Sequence, residues 1–233
     1  MALSPRRALD MLLNVGRARR LVQIAIYQLA LPAAILTIAF TSAGRGDDTV
    51  SKHELEGKIA YCETCHGFSG QGFRGYNPIP RLAGQQTEYL KNQLKAFVDR
   101  GRTSNIMYNV SHVLSPAMLT ALATNFNHLD PKPVGGAPKE LVASGKKIFE
   151  AGIPESNLPS CASCHGPDAK GNGPFPRLAG QLHDYVFSKL TNWSHERGQN
   201  PAKPDTSAIM EPIAHGLTEP QIKAVAAYLS YLE

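Results

Sequence analysis

All four cysteines of this 233-residue chain fall in two copies of one pentapeptide, Cys62-Glu63-Thr64-Cys65-His66 and Cys161-Ala162-Ser163-Cys164-His165. Two thiols three residues apart, followed at once by an imidazole, suit one reaction. The thiols add to the two vinyl groups along an edge of a porphyrin, and the histidine turns inward to bind the iron. A zinc site would want its cysteine pairs about 15–20 residues apart, whereas these start 99 apart. A thioredoxin-like redox pair would sit in a βαβ unit and would leave the histidine of both copies unexplained. The pentapeptides therefore read as two covalent haem c attachment sites, through Cys62, Cys65, Cys161 and Cys164, with His66 and His165 as proximal iron ligands.

The sixth ligand must come from elsewhere. Met107 and Met210 stand 45 and 49 residues after the first cysteine of their respective motifs, in Pro- and Asn-bearing segments expected to be loops before the last helix of each half. A methionine is ordinarily core filler, but this recurrence favours thioether ligation at both irons. Met118, on the last helix of the first half, has no such counterpart. Imidazole is the competing ligand, since His112 and His215 recur five residues after their methionines; a solvent-facing or propionate-contacting role is the plainer reading for them. His53, His128, His183 and His195 have no counterparts and read as surface residues. Pro80 and Pro176 are candidates to offer a carbonyl to the proximal imidazole N–H. Arg81 and Arg177 read either as propionate contacts or as solvated surface groups.

Positioning these groups requires a duplicated helical domain. Gly57 and Gly145 precede the two motifs, Pro80-Arg81-Leu82-Ala83-Gly84-Gln85 recurs as Pro176-Arg177-Leu178-Ala179-Gly180-Gln181, and Ile106-Met107 recurs as Ile209-Met210. The offset drifts from 88 through 99 and 96 to 103, so insertions lie in loops, one of them between Ala151 and Ser160. The last helix of each half carries the same apolar stripe, Leu119, Leu122, Ala123, Phe126 and Ile222, Val225, Ala226, Leu229. Ser115-Pro116 and Thr218-x-x-Gln221 mark their starts. Middle helices follow each Leu-Ala-Gly-Gln, with faces Leu90, Leu94, Phe97, Val98 and Val186, Leu190, Trp193; a first helix leads into each motif, and no stretch argues for a substantial sheet. Gly57 and Gly145 each predict a close crossing with the last helix. Three prolines and two glycines in 130–138 break the chain. The expected division is 1–46 leader, 47–130 first domain, 131–138 linker and 139–233 second domain. Bulky cofactors would complete these small cores.

Arginines ahead of the apolar stretch Leu21–Phe40, followed by Thr41-Ser42-Ala43-Gly44, read as an export leader cleaved near Ala43. The alternative is an uncleaved membrane anchor with its basic flank in the cytoplasm, and Met11 is an alternative start to Met1. The net charge of +5 belongs to this segment: residues 1–46 hold six of the 24 Lys and Arg and one of the 19 acidic residues, leaving 18 against 18. Haem propionates would make the exported part mildly acidic, which excludes a nucleic-acid function.

Over roughly residues 50–232 the paired motifs, paired Pro-Arg-Leu-Ala-Gly-Gln segments, paired Ile-Met loops and the ending Leu-Thr-Glu-Pro-Gln-Ile-Lys-Ala-Val-Ala-Ala-Tyr-Leu resemble the dihaem cytochromes c of the cytochrome c4 type. The resemblance implies an all-α fold of two tandem class I cytochrome c domains related by a pseudo-twofold, with their haems facing each other. It implies electron carriage in the periplasm, in soluble or membrane-tethered form. A bc-type complex or dehydrogenase would be the donor and a terminal oxidase the acceptor. The alternative is an electron-accepting subunit of a periplasmic dehydrogenase. Two methionine ligands close both irons, and no cysteine remains to ligate one, so neither catalytic residues nor substrate turnover is expected.

Overall fold

Ser51 starts the first helix by a reciprocal pair of bonds: the Glu54 N–H donates to its hydroxyl at 3.3 Å, and its own N–H donates to Glu54 Oε2 at 3.1 Å. The computed structural model describes residues 49–202 and 206–233. The leader, the cleavage point near Ala43 and the alternative start at Met11 lie outside the described residues.

In the first half, helix α1 (Lys52–His66) carries the whole first pentapeptide, followed by α2 (Thr87–Val98), α3 (Asn105–Ser111) and α4 (Pro116–Asn127). The second half repeats the plan in more pieces: α5 (Val142–Ala151), α6 (Ala162–His165), α7 (His183–Thr191), α8 (Trp193–Glu196), α9 (Ser207–Gly216) and α10 (Glu219–Tyr231). Among the described residues, β-structure is limited to four isolated bridges. The final helices start as expected. The Met118 N–H donates to Ser115 Oγ at 3.2 Å, and the Thr218 N–H to Gln221 Oε1 at 2.8 Å.

Each half has its own core, and both lie in one body from Thr49 to Glu233. Leu90, Met118, Leu122, Ala123 and Phe126 form the first, with Leu55, Ile59 and Cys62 packed on it. Phe149, Val186, Val225, Ala226, Tyr228 and Leu229 build the second, with Cys161 at its edge. The final helix of each half is the spine of its core, although in the first half Met118 rather than Leu119 joins Leu122, Ala123 and Phe126. Met118 belongs to that packing.

Four local expectations change. Met107 and Met210 lie within the short helices α3 and α9 rather than in loops; the Met107 N–H donates to Ser104 Oγ at 3.2 Å, which caps α3. Gly145 makes the close crossing with the final helix, but Gly57 is exposed and has nothing within 4 Å of where a Cβ would stand. Trp193 leaves the middle helix, because the backbone at Asn192 departs from helical geometry and a new turn starts there. The second pentapeptide lies on its own short α6, since the inserted residues after Ala151 end α5 early.

The stretch 129–138 has neither helix nor strand. It is tied at both sides: Arg74 Nη2 donates to the Gly136 carbonyl at 3.3 Å and Tyr231 Oη to the Ala137 carbonyl at 2.5 Å.

Candidate functional site

At the end of each pentapeptide the chain turns at a glycine with positive φ, Gly67 at 78° and Gly166 at 81°, and the preceding histidine points inward. His66 and His165 are 8 % and 5 % exposed. Their Nδ1 atoms lie 2.9 Å from the carbonyl oxygens of Pro80 and Pro176. A carbonyl can only accept, so Nδ1 carries the proton and the Nε2 lone pair is left for a metal. Burial keeps both imidazoles below the ordinary histidine range, against the opposing effect of the carbonyl bonds. Neutral imidazole is the ligating form.

A continuous cavity of about 750 Å³ is lined from both halves. Its walls carry both pentapeptide histidines, all four cysteines, Met107 and Met210, among apolar residues such as Leu94 and Leu190. His112, His215 and Met118 do not line it. His112 is exposed, with Nδ1 3.0 Å from the Tyr108 carbonyl and its ring stacked on Tyr108, while His215 bonds Ser194 Oγ through Nε2. No disulfide joins the four cysteines. Burial pushes the first of each pair, Cys62 and Cys161, up to about 11. Among the described residues no cluster of His, Cys, Asp or Glu could hold a bare metal ion.

Where the sequence left Arg81 and Arg177 open, the structure buries both between the halves. Their Nε atoms donate to the carbonyls of Ala83 and Ala179, each at 3.1 Å, and both Nη2 atoms reach Asp130 Oδ1, at 3.1 and 3.4 Å. Arg81 lines the cavity, and its buried Nη1 has no partner within the protein.

A second cluster crosses between the halves. Arg102 Nη1 donates to Gln93 Oε1 at 2.8 Å and Nη2 to Tyr185 Oη at 2.8 Å, and Arg197 Nη1 bonds the same Gln93 oxygen. The two guanidiniums lie over symmetry-related rings, Phe97 and Trp193. Burial raises the Tyr185 phenol, yet Arg102, Arg197 and Lys189 outweigh it and leave it below the ordinary tyrosine value. Arg197 Nε is again buried without a partner. Orphaned guanidinium nitrogens at the wall of an apolar cavity suit a flat, hydrophobic group bearing carboxylates. Sequence reasoning missed Arg102 and Arg197, although they recur at an offset of 95, close to the 96 of the Pro-Arg-Leu-Ala-Gly-Gln segments.

A family model described as cytochrome c matches residues 142–233. The chain is 40 % identical over 176 residues to a cytochrome c-552 of Acidithiobacillus ferridurans, covering 73 % of each protein. A thiosulfate dehydrogenase electron acceptor of Thiomonas intermedia is 36 % identical over 179 residues, covering 74 % of this chain and 79 % of that protein. The solved cytochrome c4 of Acidithiobacillus ferrooxidans superposes with a TM-score of 0.64 at 38 % identity, over 74 % of this chain and 99 % of that one. The chain belongs to the cytochrome c4-type dihaem cytochromes c. Its fold is all-α with tandem cytochrome c domains, its cofactors are two haem c groups, and it carries electrons rather than turning over a substrate.

Proposed function

We propose that this dihaem cytochrome shuttles electrons in the periplasm from a bc-type complex or a dehydrogenase to a terminal oxidase. Its first haem would be joined to Cys62 and Cys65 and ligated by His66 and Met107, and its second joined to Cys161 and Cys164 and ligated by His165 and Met210. The observation that carries this reading is the shared cavity, whose wall brings one carbonyl-anchored imidazole and one methionine from each half. Haem supplies the one-electron iron couple. The chain's residues do the rest. The prolyl carbonyls hold the imidazoles in one tautomer, the Met107 and Met210 thioethers would ligate the irons, and the apolar lining excludes water. Held in this way, the chain would need little rearrangement when a bound haem gains or loses an electron, as a carrier needs.

The halves would divide as 47–130 and 139–233 about the linker 131–138, behind an export leader over 1–46. Among the described residues no single helix is long and apolar enough to cross a membrane. Sequencing the mature N-terminus distinguishes cleavage near Ala43 from a retained anchor.

The likeness to a thiosulfate dehydrogenase electron acceptor supports a second reading, in which this protein is the electron-accepting subunit of such a dehydrogenase. Stopped-flow mixing separates the two readings. Fast oxidation of the reduced protein by oxidase-containing membranes supports the shuttle. Reduction only by a co-purifying dehydrogenase, with no transfer to any oxidase, supports the second.

A further inference from the structure

Each proximal imidazole is reached from the opposite half through one peptide group. The Pro80–Arg81 peptide accepts at its carbonyl from His66 Nδ1, at 2.9 Å, and donates its N–H to Gln181 Oε1, also at 2.9 Å. The Pro176–Arg177 peptide does the same between His165, at 2.9 Å, and Gln85 Oε1, at 2.7 Å. The glutamines complete the exchange by donating Nε2 to the carbonyls of Arg81 and Arg177, at 3.0 and 2.9 Å. Each Oε1 also accepts a second N–H, from Leu182 or Gln86. This leaves one amide orientation, because the reverse would set an NH₂ group against two N–H donors. Gln85 and Gln181 are 5 % and 7 % exposed, so water does not compete.

We propose that Gln181 tunes the haem held by His66 and Gln85 the haem held by His165, each acting as a positioning residue across the junction of the halves. An acceptor on a peptide N–H draws electron density toward the carbonyl oxygen of that peptide, and hydrogen bonds in series strengthen one another in a low-dielectric interior. The stronger carbonyl pulls harder on Nδ1–H, and the ring becomes a better donor to its metal. A better donor favours the ferric state, so each glutamine lowers the potential of the iron in the other half. The oxidation equilibrium between the haems then depends on how the halves are docked. This inference rests on His66 and His165 being the proximal ligands.

The test uses the full dihaem protein with Gln181→Met and Gln85→Met, which keep side-chain length but remove the acceptor. Each haem is assigned from the variant whose other cysteine pair is replaced by serine. Gln181→Met is expected to raise the first haem alone, shifting the electron-sharing equilibrium by roughly three- to tenfold; tenfold is about 59 mV for a one-electron couple. Gln85→Met shifts it the opposite way. In the reduced protein the His66 Nδ1–H resonance moves upfield in Gln181→Met while that of His165 stays.

A residue that only held the halves together would move both haems in both variants, and that result, or movement of the haem in the mutated half, overturns the proposal. Gln181→Glu retains length and acceptor and serves if the methionine variants do not fold. A His66 Nδ1–H resonance further downfield supports tuning, and one at its parental position overturns it. Parent spectra without histidine ligation would remove the ligand assignment, and the tuning with it, before any variant is made. Intact ligation with no crossed shift defeats the tuning alone.

Discussion

Gly145 lies directly against Ala224: a Cβ on the glycine would stand 2.0 Å from the Ala224 carbonyl oxygen. Backbone cannot yield as a side-chain tip can, so Gly145→Ala must separate α5 from α10. It is expected to destabilise the protein by about 3 kcal/mol, the upper end for overpacking. Gly57→Ala, at the equivalent repeat position but in open space, should instead stabilise by about 1 kcal/mol through helix propensity. Urea denaturation of the dihaem protein measures both.

Replacing Cys62 and Cys65 together by serine should leave one haem per chain, seen as the loss of one haem mass. The second core should persist, because Phe149, Val225 and Leu229 pack within the other half. The first half should melt at lower temperature, having lost a large apolar surface from beside Leu90 and Phe126. Retention of both haems would contradict the assignment of these thiols.

Met107→His should lower one haem potential and leave the other in place, because imidazole favours the ferric iron more than a thioether does. His112→Ala should change neither the visible spectrum nor either potential, since His112 is exposed and lies outside the cavity wall. Spectra showing bis-histidine ligation in the parent would reverse the assignment.

Acid should weaken the fold. Burial lowers the folded-state pKa of both His66 and His165. The unfolded chain therefore takes up protons first as pH falls below about 6.5, and the folded form does not follow until lower pH. The stability is complete above about pH 6.5 and is lost as pH falls through the folded pKa values, at up to about 1.4 kcal/mol per pH unit for each histidine. Iron bound to the same imidazoles in the folded protein would keep them unprotonated to still lower pH. Urea midpoints measured from pH 8 to pH 4 check the slope.

Much of the helical plan was legible because the final-helix stripes and their caps are local signals. The roles of Pro80 and Pro176 were readable in part, since a proximal imidazole needs an acceptor and the prolines recur. What Gln85 and Gln181 do was not readable, although both stand in the repeated segment, because their partners are 92 and 100 residues away in sequence. Arg81 and Arg177 were ambiguous for the same reason: a guanidinium looks like surface until the other half covers it. Gly57 and Gly145 show the converse error, where matching positions in a repeat met different surroundings.

The glutamine contacts are reciprocal, Gln85 gripping Arg177 while Gln181 grips Arg81, which is the arrangement that two identical molecules make when they meet about a twofold axis. Here one polypeptide supplies both partners. Their meeting is therefore first-order, governed by the tether through 131–138 rather than by how many copies a cell contains. Dilution that would scatter a dimer of single-haem proteins leaves this pair assembled, so the distance an electron must hop between its two irons is the same at any abundance.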